Sequence, residues 1–304
     1  MTETGKRATG WIPDYPDFRD YTEETAEVRK ILEPTGLLAE PAGTKKARVS
    51  TRPGRALPGS VDLREWCSPV EDQGRLGSCT AHAGVGLIEY YERKSFGRHI
   101  DASRLFLYKV TRNLMKMRGD TGAYLRTTIG AMVLFGVPPE EFWPYTDSLQ
   151  DFDREPPAFC YSFAQNYKTI MYYRHDPPSA EAETILERIK TYLAAGHPAM
   201  FGFTVYSSIE QASENGQIPF PSRRDRIEGG HAVMAVGYDD KIKIKNRYDT
   251  SSTTGALLIR NSWGKDWGEE GYGWLPYEYV RRGLAEDFWS VLKKEWIDTG
   301  QFRI

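Results

Sequence analysis

The order of hydrophobic and polar residues changes character along the chain. Within Cys79–Phe96, Val85 and Ile88 fall on one helical face while Glu89 and Glu92 fall on another, which predicts an amphipathic helix. The helical spacing recurs over residues 105–116, 124–135 and 180–195, and short β-branched or aromatic runs typical of strands cover Ala199–Tyr206, 231–238, 256–260 and 272–275. A helical half followed by a strand-rich half predicts an α+β fold with a cleft between its two parts.

Residues 1–60 follow a different pattern. Residues 10–21 mix aromatic residues with prolines, which predicts an extended segment, and residues 23–32 are expected to form one short helix. Residues 41–59 contain five basic and no acidic side chains together with three prolines and three glycines, a composition typical of an exposed linker. We interpret this linker as a tether, and the alternative is a processing site that releases the N-terminal part.

Composition narrows the class of protein. The 304 residues are 40% hydrophobic and 27% charged, which indicates a globular protein with enough apolar material for a core. A formal net charge of -2 gives no reason to expect a nucleic-acid partner. No apolar run approaches the roughly 18 residues of a membrane-spanning helix, so no membrane partner is expected. No apolar core follows Lys6 and Arg7, and we therefore expect a cytoplasmic or non-classically secreted protein.

Cys79 is a candidate nucleophile because it opens a predicted helix. Gly74 and Gly77 break regular structure before it, and Ser78 is placed to cap the helix. The positive end of the helix dipole stabilises a thiolate over a thiol, and a sulfur nucleophile needs such a lowered pKa at neutral pH. Taken alone the signal is weak, since a free cysteine at a helix start is more often an inert apolar residue.

Two other positions complete the candidate chemistry. His231 introduces an apolar strand behind Gly229 and Gly230, so its imidazole is accessible to take the proton of Cys79, making a thiolate–imidazolium pair, and to return it to a leaving amine. Asn261 ends a later strand and is able to accept a hydrogen bond from an imidazole N–H, which would fix the tautomer and the angle of the ring.

The motifs together resemble the papain-like cysteine peptidases over about residues 61–291. Residues 76–80 read Leu-Gly-Ser-Cys-Thr, where the family has Cys-Gly-Ser-Cys-Trp. Residues 261–264 read Asn-Ser-Trp-Gly, as in the family. Trp263 and Trp267 would then cover the hydrogen bond between the imidazole and the amide against water.

The distance along the chain from Cys79 to His231 is close to the family's, and the distance from Cys79 to Asn261 is longer. His231 follows Cys79 by 152 residues and Asn261 follows it by 182. The family places both roughly 130–150 residues after its nucleophile. A polar insertion at residues 239–254, between two predicted strands, accounts for the late asparagine.

The resemblance implies a two-lobed fold in the α+β class. A catalytic domain at residues 61–304 would follow the N-terminal extension at residues 1–60. Its helical lobe would cover about residues 61–160, and its β-rich, barrel-like lobe about residues 161–291, with the active-site cleft between them.

The resemblance also implies roles for four residues. Cys79 would be the nucleophile, His231 the general acid and base, and Asn261 the residue that orients the ring. Gln73, six residues before the cysteine as in the family, would donate a side-chain N–H to the oxyanion, with the backbone N–H of Cys79 as the second donor.

A groove for an extended substrate is implied as well. Its walls would pair with the substrate backbone through Gly122 and Ala123, and a pocket would receive the side chain two residues before the scissile bond. The remaining residues predicted to border this groove or pocket are Tyr124, Gly202, Gly229, Gly230 and Trp263.

The sequence departs from the family pattern beside the nucleophile. Leu76 replaces a disulfide partner and Thr80 replaces a tryptophan. Cys67 and Cys160 remain, and the sequence leaves open whether they form a disulfide. We expect His82 to be structural, because its position on the helix directs it away from the cleft.

We therefore expect a monomeric cysteine endopeptidase that forms a thioester with peptide or protein substrates. The five histidines show no paired-ligand spacing with cysteines or acids, so neither a metal nor another cofactor is expected. Residues 11–21 are expected to lie along or beside the cleft and to limit access. The alternatives are a catalytically silent relative that binds peptides or proteins, and a transpeptidase or deamidase with the same site.

Overall fold

The computed structural model describes residues 8–35, 37, 57–167, 171–249 and 252–293. The helices are α1 Ala26–Leu32, α2 Cys79–Phe96, α3 Arg104–Leu114, α4 Leu125–Leu134, α5 Ala158–Ala164, α6 Ala182–Ala194 and α7 Tyr277–Arg281. The strands are β1 Trp11–Ile12, β2 Ser60–Asp62, β3 Ala123–Tyr124, β4 Met171–Arg174, β5 Ala199–Tyr206, β6 Ile227–Lys245, β7 Ser252–Arg260, β8 Tyr272–Pro276 and β9 Ala285–Leu292. Within the described ranges, no helix is both long and apolar enough to cross a bilayer.

Helix α2 is the centre of the helical half. It packs against α3, α4, β5 and β6, and its residues from Cys79 to Tyr91 are all buried. The predicted two-faced pattern is therefore wrong at Glu89, whose side chain is fully buried. The Ser68 hydroxyl donates a hydrogen bond to this carboxylate, and Arg104 forms an ion pair with it at 3.5 Å, so the buried charge is compensated.

Seven strands form one antiparallel sheet in the order β4-β9-β5-β6-β7-β8, with β2 paired to β6. Strands β5 and β6 lie side by side with Phe203 opposite His231. The predicted insertion at residues 239–254 extends both neighbouring strands into a long hairpin, because β6 and β7 stay paired as far as Lys245 and Ser252. This hairpin explains why the asparagine lies late in the sequence without being displaced in space.

Most elements agree with the hydrophobic pattern. Helix α2 and strand β5 have the predicted bounds, the other predicted elements are present with bounds that differ by a few residues or extend the strands, and the α+β class is confirmed. Strand β9 was not predicted, because Glu286 and Asp287 interrupt its apolar run. Other elements were missed because they are short, namely strands β2, β3 and β4 and helices α5 and α7.

The N-terminal segment, which we define as residues 8–35, lies across the molecule. Strand β1 pairs in parallel with β3, which places Trp11 beside Ala123. Helix α1, near the end of the segment, lies within the predicted range 23–32 and is followed by a 3-10 turn at Glu33–Thr35. Most of the predicted linker at residues 41–59 lies outside the described residues.

Candidate active site

Cys79 is the first residue of α2, and its side chain is fully buried. The backbone N–H of Ala232 donates a hydrogen bond to its Sγ at 3.4 Å, which brings the thiol beside His231. Ser78 lies at the N-cap position with ψ of 15°, far from the extended geometry of a side-chain cap, and makes no capping hydrogen bond. Its hydroxyl instead pairs with that of Tyr145 at 2.7 Å, so the predicted cap is wrong.

His231 and Asn261 form a fixed pair. Asn261 directly follows β7, and its Oδ1 lies 2.7 Å from Nε2 of the imidazole. The same oxygen accepts the backbone N–H of Ser262 at 2.8 Å, which holds the amide in one orientation. Trp263 stacks on the imidazole at a centroid distance of 4.4 Å, and Trp267 packs edge-on against Trp263. Nε2 therefore donates to the asparagine, and Nδ1 has no hydrogen-bond partner within the described part of the chain.

Gln73 is buried against the loop that follows Asn261. Its Oε1 accepts a hydrogen bond from the hydroxyl of Ser262 at 2.6 Å, and its backbone N–H donates to the carbonyl of the same serine at 2.9 Å. Its Nε2 donates to the carbonyl of Leu76 at 2.7 Å. The amide is thus held with its N–H groups directed toward the residues that precede Cys79.

The N-terminal segment covers this site. The carbonyl oxygen of Ala8 accepts hydrogen bonds from Gln73 Nε2 and from the indole N–H of Trp263, each at 3.2 Å. The side-chain N–H that the sequence predicts as an oxyanion donor is therefore paired with the segment.

Gly10 passes through the predicted substrate groove. Its N–H donates to the carbonyl of Gly230 at 2.9 Å, and its own carbonyl accepts the N–H of Ala123 at 2.7 Å. A Cβ added at Gly10 would overlap the backbone of Gly77, and one added at Gly122 would overlap Gly10. Only a residue without a side chain fits at this point of the segment.

Trp11 fills a pocket beside the groove and is only 6% exposed. A Cβ added at Gly202 would overlap its indole, and one added at Gly230 would lie 2.5 Å from its backbone oxygen. Gly229 and Tyr124 border the segment as well. All seven residues predicted to bind substrate therefore line one groove, which the N-terminal segment occupies.

Burial is the largest influence on the pKa values of Cys79 and His231 in this closed arrangement. Burial raises the pKa of the Cys79 thiol to about 11, although nearby backbone N–H groups oppose the rise. Burial also lowers the pKa of His231 to about 4, against the smaller effect of its hydrogen bond to Asn261. Both shifts favour the neutral forms in the closed structure. They therefore oppose the predicted resting thiolate–imidazolium pair, because charged groups without water are strongly disfavoured.

The remaining candidate residues have structural surroundings. Cys67 and Cys160 are free thiols, which answers the question that the sequence left open. Nδ1 of His82 lies 3.1 Å from the carbonyl of Ser78, and its ring packs edge-on against Tyr145. Burial lowers the pKa of His82 to about 3, so it is neutral near pH 7, in agreement with the expected structural role.

Asp287 is a residue of the site that sequence reasoning missed. It lies in β9 with a φ of 59° and is 1% exposed. Its Oδ2 accepts a hydrogen bond from the indole N–H of Trp11 at 3.1 Å. No motif surrounds it in the sequence, and the one available signal was an acid inside an otherwise apolar run.

Comparisons with known proteins assign the chain to a family. Residues 57–288 match the papain family of cysteine proteases. The chain is 33% identical over 301 residues to an uncharacterized peptidase C1-like protein of Acanthamoeba polyphaga mimivirus, a match that covers 95% of this chain and 88% of that protein. It is 30% identical to a cathepsin B-like protein of Giardia intestinalis, covering 81% of this chain and 77% of that protein.

A solved structure agrees with this assignment. The crystal structure of xylellain, a cysteine protease from Xylella fastidiosa, matches with a TM-score of 0.71 and 35% sequence identity, covering 94% of this chain and 96% of that one. The two-lobed α+β fold that the sequence predicts is thereby confirmed. The chain belongs to the papain family and is a cysteine peptidase.

Proposed function

We propose that the chain hydrolyses peptide bonds with Cys79 as the nucleophile, His231 as the general base and acid, and Asn261 as the residue that orients the imidazole. The observation that carries this proposal is the contact of Cys79 Sγ with the backbone N–H next to His231, at the start of a helix. Because Nε2 of the imidazole is bound to Asn261, Nδ1 remains to exchange a proton with the sulfur.

The reaction needs the same imidazole to take up and return a proton in each of its two halves. His231 takes the thiol proton, and the thiolate attacks the substrate carbonyl carbon, whose oxygen becomes an oxyanion. Gln73 Nε2 and the backbone N–H of Cys79 are the donors available to that oxygen. The C–N bond then breaks, the imidazolium protonates the leaving amine, and a thioester stays on Cys79. His231 then deprotonates a water, which attacks the thioester carbonyl. The C–S bond breaks, the acid is released, and the imidazolium returns its proton to the sulfur of Cys79.

We infer that the N-terminal segment inhibits this reaction. Ala8 binds the side chain of Gln73, and Trp11 fills the pocket bordered by Gly202 and Gly230. In a substrate, the residue whose side chain fills that pocket would come before the residue with the reacting carbonyl. In the segment the order is reversed, because Trp11 in the pocket comes after Ala8, whose carbonyl lies at Gln73. The segment therefore runs opposite to a substrate, which keeps its own peptide bonds out of the attacking geometry.

Ion pairs outside the groove support the inhibition. Asp20 of the segment pairs with Arg126 of α4 at 2.5 Å, and Glu23 pairs with Arg188 of α6 at 2.9 Å. These side chains are largely buried, so their charges are screened less than those of exposed pairs. The segment is thus anchored on both sides of the molecule while its residues 8–12 lie in the groove.

A peptide-library cleavage profile tests the proposal. It compares the full chain with Cys79→Ala and with Gly10→Ala, whose new methyl group would overlap Gly77. We expect hydrolysis products from the full chain, more from Gly10→Ala, and none from Cys79→Ala. Activity that survives in Cys79→Ala would remove the assigned nucleophile. Absence of cleavage together with absence of Cys79 labelling by a thiol-protease reagent, in native Gly10→Ala, would indicate a binding protein. Products joined to an added amine would indicate acyl transfer.

A further inference from the structure

The pocket filled by Trp11 ends at a carboxylate. Gly202 of β5 and Gly230 of β6 form part of its wall and carry no side chains. The flat indole can therefore pack directly against these two strands, beside the groove. At the far end, the indole N–H donates to Oδ2 of Asp287 at 3.1 Å. The pocket therefore combines a large apolar volume with one acceptor at its end.

Asp287 is held by the catalytic domain and not by the segment. Its Oδ1 accepts a hydrogen bond from Nη2 of Arg174 at 2.7 Å, and its backbone N–H donates to Asp176 at 2.8 Å. Its φ of 59° lies in the left-handed region, where aspartate and asparagine are tolerated better than other residues with side chains. These contacts keep the carboxylate at the end of the pocket when the segment leaves.

Departure of the segment frees one oxygen of this carboxylate. The two donors recorded on Oδ2 both belong to the segment, the indole of Trp11 and the backbone N–H of Asp14 at 2.8 Å. A buried acceptor that loses its donors is strongly disfavoured, and more so when it is charged. The open enzyme thus presents, at the end of an apolar pocket, an acceptor that has lost both segment donors and that a substrate N–H can take over from water.

The charges around Asp287 favour a neutral donor over a cationic one. On the side of the catalytic domain, Asp287 and Asp176 face Arg174, and the guanidinium of Arg174 lies against Asp287 itself. The guanidinium of Arg126 lies nearby, over the ring of Trp289. The charges of these two carboxylates and two guanidiniums balance, so an additional cation in the pocket would find the carboxylates already neutralised and the guanidiniums repelling it.

We propose that Asp287 determines the substrate specificity of this peptidase by selecting, two residues before the scissile bond, an aromatic side chain that carries a neutral N–H donor. Tryptophan meets this description, and phenylalanine lacks the donor. The inference rests on the proposed function, since it concerns the groove in which the reaction would occur. Trp11 reports the chemistry of the pocket, although its backbone runs opposite to a substrate.

The test uses Gly10→Ala and a set of peptides that differ at one position. That position holds tryptophan, 3-benzothienylalanine, phenylalanine or arginine, and mass spectrometry of the products establishes the cleavage register. The benzothienyl group replaces the indole N–H by sulfur at nearly the same shape. We expect kcat/KM for tryptophan to exceed that for benzothienylalanine by roughly ten- to a hundred-fold.

Two variants locate the effect. In Asp287→Asn the amide oxygen stays on Arg174 and turns the NH2 group toward the pocket, so the preference for tryptophan over benzothienylalanine disappears. Glu286→Gln makes the same chemical change at the exposed neighbouring residue and keeps the preference. If Asp287→Asn does not fold, the ratio of kcat/KM for tryptophan to kcat/KM for benzothienylalanine in Gly10→Ala still tests the preference for an N–H donor.

The outcomes separate the two proposals. Equal rates for tryptophan and benzothienylalanine, or a preference for arginine over tryptophan, would overturn the role of Asp287 while hydrolysis continues. Absence of any turnover, with no labelling of Cys79, would overturn the proposed function and this inference with it.

Discussion

The side-chain amide of Gln73 donates a hydrogen bond to the carbonyl oxygen of Ala8, at 3.2 Å. The same amide is the side-chain donor proposed for the oxyanion, so the N-terminal segment satisfies a group that the reaction needs free. Preorganised donors accelerate a reaction because they meet charge that develops only in the transition state. While the carbonyl of Ala8 accepts this hydrogen bond, Gln73 is not available to bind an oxyanion.

Loss of the Gln73 donor is expected to slow the reaction and not to weaken substrate binding. In the Gly10→Ala background, Gln73→Ala is expected to lower kcat by roughly 10²–10³ with little change in KM. Gln211→Ala, which removes a side chain bonded to Asn246 away from the site, serves as the matched control and keeps kcat. Steady-state kinetics on one peptide measure both. An unchanged kcat in Gln73→Ala would remove the residue from the oxyanion site.

A single methyl group added at Gly10 is expected to displace the segment and so to activate the enzyme. A methyl group at Gly10 would overlap Gly77, whereas a Cβ at Gly59 would meet nothing within 4 Å. We expect kcat/KM of Gly10→Ala to exceed that of the full chain about tenfold or more, which corresponds to roughly 1.4 kcal/mol or more of lost docking. Gly59→Ala is expected to behave as the unchanged chain. Equal activity of both variants would contradict inhibition by the segment.

The reactivity of the Cys79 thiol is expected to depend on pH differently in the closed and open enzymes. In the closed structure the thiol pKa is about 11, so alkylation by iodoacetamide should keep rising with pH up to that value. In Gly10→Ala water and His231 stabilise the thiolate, so the rate should level off at lower pH. Cys67, whose pKa burial also raises to about 11, is the internal control and should behave alike in both proteins. Coincident pH profiles for Cys79 would contradict the effect of the segment.

Asp14 couples docking of the segment to pH. Its carboxylate accepts hydrogen bonds from the backbone N–H of Arg126 and the indole of Trp289. Burial, and then the charge of Asp287, raise its pKa from 3.8 to about 7, against the opposing charges of Arg126 and Arg174. The docked segment therefore retains a proton that a solvated Asp14 releases. Docking is expected to be strongest below about pH 4, to weaken as pH rises toward 7, and to change no further above it.

Substitution of Asp14 isolates this effect from the other carboxylates nearby, Asp20, Asp176 and Asp287. The measured quantity is the Cys79 labelling rate of the full chain divided by that of Gly10→Ala. This ratio should rise between about pH 5 and about pH 7, because docking weakens in the full chain, and Asp14→Asn should flatten the rise. Asp17→Asn is the control, because Asp17 pairs with the exposed side chain of Arg19 outside the cluster. A ratio that falls with pH, or one that Asp14→Asn leaves unchanged, would contradict the coupling.

The elements and the close placement of Cys79, His231 and Asn261 were predictable because their signals are local. The glycines before Cys79, the strand that begins at His231 and the Asn-Ser-Trp-Gly run after β7 each occupy a few consecutive residues. The helical period of α2 was equally visible. Its burial was not, because the side chains that compensate Glu89 come from other parts of the chain, as Arg104 does.

Residues that act through distant contacts were not predictable. The extended form of residues 10–21 was expected from their prolines, but the pairing of Trp11 with Asp287 joins positions 276 residues apart. The effect of burial on Cys79 and His231 was not predictable from local signals either. A helix dipole and an imidazole favour a thiolate, whereas burial of both side chains in the folded chain opposes it.

The most direct test of the central claim identifies the residue that reacts. The full chain, Gly10→Ala and Cys79→Ala are treated with an epoxide thiol-protease reagent near neutral pH, and peptide mapping locates the adduct. We predict one adduct, on Cys79, formed faster in Gly10→Ala than in the full chain and absent from Cys79→Ala. An adduct on Cys67 or Cys160 in place of Cys79, or none on Cys79 in the native Gly10→Ala protein, would contradict it.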